Sequence, residues 1–301
     1  MFEKGVHSCK MVKKHISDII ADVLIYFFLG VLTIVCLIPF LHVASMSVSS
    51  NAAVTANQVF LLPKGLNIDA YKQVFGDSSM MHSLYITVIV TVLFTLLGMV
   101  LTICGAYALS RPKLKGRKAL NMIFVITMYF SAGIIPSYIL MSTLKLLNTM
   151  AVLILPLAFS CYNLIILRSF MNASIPPSLI EAAEIDGCDE FRILLSVVLP
   201  LSVPVLATLT LFYAVGRWNS FQDALYYITD SDLKVLQQKL YELVNSASSQ
   251  GLSQEISSST LQSPEVLKAA CIMFATIPIL CIYPFVQKYF VKGVMIGAVK
   301  E

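Results

Sequence analysis

Six long runs of apolar residues, separated by polar segments, dominate the pattern along the chain. They lie at about 23–44, 83–108, 120–141, 150–168, 197–216 and 267–290. A helix needs about 20 predominantly apolar residues to cross the hydrocarbon core of a bilayer, and each run approaches or exceeds that length. No Asp, Glu, Lys or Arg lies in the interior of any run. The pattern therefore predicts an all-α membrane protein with six transmembrane helices.

The composition supports a membrane protein. Hydrophobic residues make up 57% of the chain and charged residues only 13%, whereas about 25% is usual for a soluble domain. The seven cysteines lie mostly in apolar runs and show no Cys-x-x-Cys spacing, so we expect neither disulfides nor a metal site. A net charge of +4 is too small to indicate a nucleic-acid partner.

The distribution of Lys and Arg predicts the orientation of the chain in the cell membrane. Six spans place both termini on one side, which carries 14 Lys and Arg residues against seven on the other. The positive-inside rule then makes both termini cytoplasmic. We expect a cytoplasmic N-terminal segment (1–22), a peripheral first helix (23–45), an external loop (46–82), a core of five helices (83–290) and a cytoplasmic tail (291–301). The core contains a cytoplasmic loop at 169–196 and an external loop at 217–266.

The 169–196 loop departs from the positive-inside pattern because its central part is acidic. Pro177 suits the first turn of a helix, and Gly187 suits the left-handed residue that ends one. Between them, apolar residues three or four apart share a face, namely Leu179, Ile180, Ala182 and Ala183. A helix of about ten residues is marginal by itself in water. The loop is therefore predicted to be a docking surface for a partner protein, although a solvated interhelical loop is the simpler alternative.

The spacing within this loop resembles a known motif. Glu181-Ala182-Ala183, Gly187 and Leu199-Pro200 resemble the EAA loop of permease subunits in ABC importers. The resemblance implies a coupling helix that sits in a groove of an ATPase subunit, with Glu181 bound to a basic residue there. The implied coupling residues are Glu181, Ala182, Ala183, Asp186, Gly187, Leu199 and Pro200.

The chain has no visible energy source of its own. The dipeptide Gly-Lys is absent, so no Walker A phosphate loop can form. Proton- or sodium-coupled carriers usually need charged groups at membrane depth, and the runs have none. We find no catalytic constellation. We therefore expect a transport subunit that is not an enzyme and holds no cofactor, with ATP and Mg bound by partner ATPase subunits.

Other segments resemble one branch of the same family. The ending Tyr283–Val294 with Gly297–Lys300, together with Tyr107–Arg111 and Trp218-Asn219, is similar to the second permease of maltose-type carbohydrate importers. In detail it is similar to the branch that serves polysaccharide breakdown products, some containing uronic acid. The resemblance implies the type I (MetI-like) permease fold, a homologous sister permease, two ATPase subunits, an extracellular solute-binding protein and an oligosaccharide substrate. It also implies that the tail reaches into the ATPase pair through Gly297, Ala298, Val299 and Lys300.

Candidate substrate contacts are the aromatic and neutral polar residues inside the spans. They are Tyr129, Ser131, Tyr162, Asn163 and Tyr213. Such groups also join membrane helices, and the sister permease is an alternative carrier of the site. Trp218 and Asn219 are candidates for contact with the binding protein, with an interfacial anchor as the alternative for Trp218. Lys234–Val244 is predicted to be a short amphipathic helix, and the serine-rich segment 246–263 a linker or an external probe.

The leading hypothesis is thus the membrane subunit of an ATP-driven oligosaccharide importer. An ABC permease for another solute remains an alternative within transport. A membrane scaffold or sensor that docks a cytoplasmic protein and moves nothing is an alternative of a different class. A passive channel is disfavoured, because it has no need of an ATPase-docking helix.

Overall fold

The computed structural model describes residues 16–250 and 263–298, and every regular element in these ranges is helical. The helices are α1 (Ile16–Ser47), α2 (Asn51–Thr55), α3 (Asp69–Gly76), α4 (Ser78–Ser110), α5 (Arg117–Tyr129), α6 (Ile134–Thr143), α7 (Met150–Ile154), α8 (Cys161–Ser174), α9 (Pro177–Ile185), α10 (Glu190–Ile193), α11 (Leu199–Asn219), α12 (Gln222–Tyr227), α13 (Leu236–Gln250) and α14 (Pro264–Ala298). A π-helical turn, Leu194–Val198, joins α10 to α11, and a 3₁₀ turn, Ser231–Leu233, precedes α13.

Helix α4 is the centre of the bundle. It packs against α8 and α11, while α14 packs against α1, α3, α11 and α13. One buried cluster lies where α9 meets the C-terminal end of α4, and another lies where α13 meets its N-terminal end. We call these the α9 end and the α13 end of the bundle.

Within the described residues, four single helices or helical runs are long and apolar enough to cross a membrane. They are Ile20–Ser47, Ser78–Ser110, Glu190–Asn219 and Pro264–Ile282. Helices α5 and α6 form a fifth candidate span if they are counted together. Four of the predicted apolar runs thus lie within or largely coincide with a single helix, namely 23–44, 83–108, 197–216 and 267–290.

The other two predicted runs are not continuous helices. Between α5 and α6 the chain bends by 111°, and Gly133 there has φ 84° and ψ 177°, a conformation open to glycine. The run 150–168 is divided into α7 and α8. Pro156 has no N–H to continue α7, and Ser160 starts α8 by accepting a hydrogen bond from the Asn163 N–H. Each of these two runs is therefore divided between two helices, and the predicted count of six membrane-spanning helices stays a prediction.

The connection from α10 to α11 has a local cause. Pro200 has no N–H to donate to the Ser196 carbonyl, and its ring crowds that group. The preceding residues form the π-helical turn Leu194–Val198, which is a known way to absorb such a disturbance. Leu199-Pro200 therefore shapes the path between the acidic loop and α11.

The predicted amphipathic helix at 234–244 is confirmed as α13. Most of the serine-rich segment 246–263 lies outside the described residues. Helix α1 is peripheral, since its most apolar window has none of its residues buried.

Gly98 allows α4 to approach its neighbours closely. A Cβ there would lie 2.8 Å from the Ala158 carbonyl oxygen and 2.8 Å from the Tyr213 ring. We expect Gly98→Ala to lower the free energy of unfolding by ~1–3 kcal/mol through overpacking. Gly105→Ala is the matched control, because the one atom that its Cβ would approach within 3 Å is a terminal methyl carbon of Leu164, at 2.7 Å, which can move more easily than backbone. The measurement is the thermal unfolding midpoint in detergent, and equal midpoints for the two variants would contradict this account.

Candidate functional site

The acidic loop folds into the short helix that its sequence predicts. Pro177 occupies the first turn of α9, and Gly187 follows the helix with φ 80°. The Cys188 N–H bonds to the Ala183 carbonyl and the Gly187 N–H to the Glu184 carbonyl, both at 3.0 Å. These bonds use carbonyls that the last helical turn would otherwise leave unsatisfied.

Helix α9 has an inner and an outer face. On the inner face Ile180 and Ala183 pack against the buried cluster at the α9 end. The outer face presents Leu179, Glu181, Ala182, Ile185 and Asp186, all exposed, with Ile185 at 86%. The predicted apolar face is thus divided between the two sides, since Leu179 and Ala182 point away from the bundle. This α9 outer face combines apolar contact area with two carboxylates, as a protein-docking surface needs.

Arg111 holds α9 against the end of α4. Its side chain is 10% exposed and donates to the carboxylates of Glu184 and Glu190, the latter at 3.0 Å. Lys113 donates to the second Glu184 oxygen at 2.6 Å, and the Tyr107 hydroxyl donates to Glu190 at 2.5 Å. Two of the loop's acidic residues therefore face the bundle of this chain, which the loop's net charge did not indicate. The sequence analysis used the charges of Arg111 and Lys113 only to orient the chain in the membrane. In the structure both side chains pair with carboxylates of the acidic loop.

The hydrogen bond from Lys113 lowers the pKa of Glu184 below its usual value, and the bond from Arg111 acts in the same direction. A carboxylate whose pKa is lowered by folding stabilises the folded state above its unfolded pKa. That contribution is lost as the pH falls through the lowered value. The attachment of α9 is therefore fully formed at neutral pH.

A groove of about 420 Å³ runs between the basic 110–117 loop and α9. Arg111, Lys113 and Arg117 lie along one side, and Glu181 and Glu184 along the other. Of the predicted coupling residues, Glu181, Ala182, Ala183, Asp186 and Gly187 lie together on α9 or at its end. Leu199 and Pro200 begin α11, beyond the π-helical turn.

The predicted substrate residues fall into two groups. Tyr129 and Ser131 lie at the break between α5 and α6, and Tyr162 lies in the first turn of α8; all three are exposed. Asn163 and Tyr213 are buried and line a common cavity. The Tyr213 hydroxyl bonds to the Thr102 hydroxyl at 2.7 Å and accepts from the Ser160 N–H at 3.1 Å. Tyr213 thus joins α4, α11 and the start of α8.

Non-helical backbone at membrane depth is tolerated where it is buried in protein or lines a cavity. The break that carries Tyr129 and Ser131 has exposed side chains in this chain. We therefore expect a second subunit or a water-filled path to lie against it, which is consistent with their predicted place on a pathway.

Trp218 and Asn219, predicted to contact a binding protein, differ in exposure. The Trp218 ring is 8% exposed and its Nε1–H donates to the Ala275 carbonyl at 3.2 Å, so it joins α11 to α14 inside the bundle. This packing corrects the surface roles considered for Trp218. Asn219 is exposed and stays a candidate contact. In the predicted tail, Gly297 and Ala298 end α14, whereas Val299 and Lys300 lie outside the described residues.

Sequence reasoning missed the buried ion pair of Arg217 and Asp223. It assigned both residues to an external loop, but their side chains are 2% and 9% exposed and bonded at 2.5 Å. Two opposite charges six residues apart, next to the only Trp, were the available signal.

We expect Arg111→Gln to loosen α9 without unfolding the bundle. Removing the guanidinium leaves Glu184 with Lys113 only and Glu190 without its ion pair, so amide exchange in 177–187 should accelerate roughly ten-fold. Hydrogen–deuterium exchange measures this. Lys115→Gln, an exposed change in the same basic loop, should have no effect. Unchanged exchange in Arg111→Gln would show that the apolar inner face alone holds the helix.

A family model described as "Binding-protein-dependent transport system inner membrane component" matches residues 98–296. The Bacillus subtilis (strain 168) "Polygalacturonan/rhamnogalacturonan transport system permease protein YtcP" is 41% identical over 280 residues, covering 93% of this chain and 98% of that protein. "Protein LplC" of the same organism is 38% identical over 279 residues, covering 93% and 94%.

Among solved structures, one chain from a bacterial ABC transporter involved in the import of the acidic polysaccharide alginate superimposes with a TM-score of 0.83. It is 33% identical, and the match covers 93% of this chain and 100% of that one. A chain from the alginate ABC transporter in complex with an alginate pentasaccharide-bound periplasmic protein has a TM-score of 0.58 at 17% identity, which shows similarity of fold alone.

Proposed function

The chain belongs to the family of binding-protein-dependent transport system inner membrane components, and we propose from this that it is a permease subunit of an ATP-driven ABC importer for oligosaccharides. The observation that carries the proposal is α9. Arg111 holds this short helix to the bundle. The outer face of α9 exposes Glu181, Ile185 and Asp186. A surface of this kind supports docking of an ATPase subunit.

The substrate class in this proposal is an acidic, polysaccharide-derived oligosaccharide. Its support is what the names of two similar proteins say about their substrates. One is a polygalacturonan/rhamnogalacturonan transport permease, and the other belongs to an importer of the acidic polysaccharide alginate. All three polymers named there contain uronic acid residues, so a uronate-containing fragment is the substrate class that we infer.

We further propose six membrane crossings with both termini in the cytoplasm. The crossings are α1, α4, α5–α6, α7–α8, α10–α11 and α14. The α9 end then faces the cytoplasm, in agreement with the positive-inside count, and the α13 end faces outward. In this orientation the exposed α1 would contact lipid or a homologous sister permease. The exposed break at Tyr129 and Ser131 would contact the sister permease or a water-filled path.

The proposed mechanism is alternating access driven by partner subunits. Two ATPase subunits bind ATP and Mg and close on each other, which moves α9 through contacts at its outer face. Arg111 directly follows α4 and bonds to Glu184 on α9 and to Glu190 at the start of α10, so it transmits that movement to α4. An extracellular binding protein delivers the oligosaccharide at the α13 end. The C-terminal tail 297–300 reaching the ATPase pair remains part of this proposal.

The substrate proposal predicts selective stimulation of ATP hydrolysis. The complex would be purified with its ATPase subunits, and the binding protein would be added empty or loaded from a panel of neutral and acidic oligosaccharides. We expect loaded binding protein carrying a uronate-containing oligosaccharide to raise the hydrolysis rate above that with empty protein. A flat response to every saccharide, with the ATPase still attached, would favour another solute or a non-transporting scaffold.

The coupling proposal predicts that Glu181→Lys abolishes stimulated hydrolysis and transport while the bundle stays folded. Glu181 lies on the outer face, so reversing its charge would place a cation against the basic residue proposed on the ATPase. Lys118→Glu, a reversal at an exposed position in the first turn of α5, is the control and should retain activity. Normal transport by Glu181→Lys, or failure of that variant to insert in the membrane, would contradict the assignment.

A further inference from the structure

A cavity of about 210 Å³ opens among α4, α8 and α11, and one of its walls holds a buried arginine. The Arg217 side chain is only 2% exposed. One of its terminal nitrogens, Nη1, donates to Asp223 Oδ2. The other, Nη2, is buried without a hydrogen-bond partner in the part of the chain that the structure describes. Buried donors are rarely left without an acceptor, and each exception calls for an explanation.

Asp223 does not accept a hydrogen bond from Nη2 in this structure. Its Oδ2 accepts from Arg217, and its Oδ1 accepts from the Ser220 hydroxyl at 2.8 Å. The guanidinium carbon lies 5.6 Å from the centre of the Phe94 ring. Arg217 and Phe94 both line the cavity, so a ligand held there is a candidate acceptor for Nη2.

A second positive feature borders the same cavity. Helix α8 begins there, with Ser160 and Asn163 in the cavity wall. The first backbone bond of the helix runs from the Leu164 N–H to the Ser160 carbonyl, so the preceding N–H groups of Cys161 and Tyr162 have no acceptor within the helix. Helix N-termini carry partial positive charge and bind anions.

We propose that this cavity binds the carboxylate of an acidic sugar residue as the oligosaccharide passes. The carboxylate would accept from Arg217 Nη2 and from the N-terminus of α8. The sugar ring would lie near Phe94 and Tyr213, with Asn163 as a neutral hydrogen-bonding group. Two converging positive features favour a carboxylate over a hydroxyl, because hydrogen bonds between charged groups are the stronger kind. Nη2 is enclosed in this conformation, so the ligand reaches it when α8 and α11 separate.

This inference rests on the proposed function and adds to it the residue that recognises the acid. It also differs from the expectation drawn from the sequence, in which the candidate contacts were all neutral. Asn163 and Tyr213 keep their place at the site, and Arg217 becomes the residue that distinguishes a uronate from a neutral sugar.

Equilibrium binding tests the proposal directly. The probes are digalacturonate and its methyl ester, which differ in the carboxylate, and the protein is the purified complex without binding protein. We expect the intact complex to bind the free acid more tightly than the ester. Arg217→Gln combined with Asp223→Asn removes both charges, so no buried charge is left without a partner. It should weaken binding of the acid roughly ten-fold and leave the ester unchanged.

A more conservative variant tests the proposal if the double substitution fails to fold. Arg217→Lys keeps a cation beside Asp223 but lacks the forked second nitrogen, so it should also weaken binding of the acid selectively. Lys145→Asn is the matched control. It removes an exposed cation from a position with φ 54°, which asparagine tolerates, on the same side of the membrane in the proposed topology.

The outcomes separate this inference from the proposed function. No discrimination between acid and ester by the intact complex, no binding of digalacturonate, or wild-type affinity in a folded Arg217 variant would overturn the carboxylate site. Stimulated ATP hydrolysis with loaded binding protein would still support the importer in those cases. Conversely, selective binding of the acid without any saccharide-stimulated hydrolysis would retain the site and refute the importer.

Discussion

Arg111 sits between the carboxylates of Glu184 and Glu190, and the attachment of α9 to the bundle depends on this contact. The side chain is mostly buried, so its charge must be matched by nearby carboxylates. Because Arg111 directly follows α4 while the two acids flank Gly187, the ion pairs connect the central helix to both sides of the acidic loop. Helix α9 is too short to be stable by itself. Its position therefore comes from the charge contacts and from the apolar packing of Ile180 and Ala183.

The α13 end of the bundle contains a second buried arginine that is paired with a carboxylate. The two ends differ in which elements the ion pair joins. Arg111 donates to acids from a separate loop, so it can transmit movement between elements. Arg217 and Asp223 lie close in sequence, on α11 and α12, and their pair stays within one corner of the bundle. A buried pair contributes little net stability, because desolvation offsets the attraction. Its presence beside a cavity is better explained by recognition of a charged ligand than by stability.

Two of the apolar runs are interrupted, one between α5 and α6 and the other between α7 and α8. The bend at Gly133 and the gap before α8 leave backbone groups that a continuous helix would satisfy. At the second gap the freed groups have a use, since Tyr213 accepts from the Ser160 N–H and the start of α8 borders the cavity. The breaks in the apolar runs therefore lie at or beside residues that are predicted to contact the substrate.

The sequence by itself determined the helical membrane class and the existence of α9, which Pro177 begins and Gly187 follows. These features follow from hydrophobic run length and from backbone preferences that act within a few residues. Only the tertiary structure decided which acids of the loop remain on the outer face, because Arg111 and Glu184 are 73 residues apart. It also decided the burial of Trp218 against Ala275, 57 residues away, and the meeting of Tyr213 with Thr102 across 111 residues. Contacts over such separations depend on how whole helices pack, which no local pattern records.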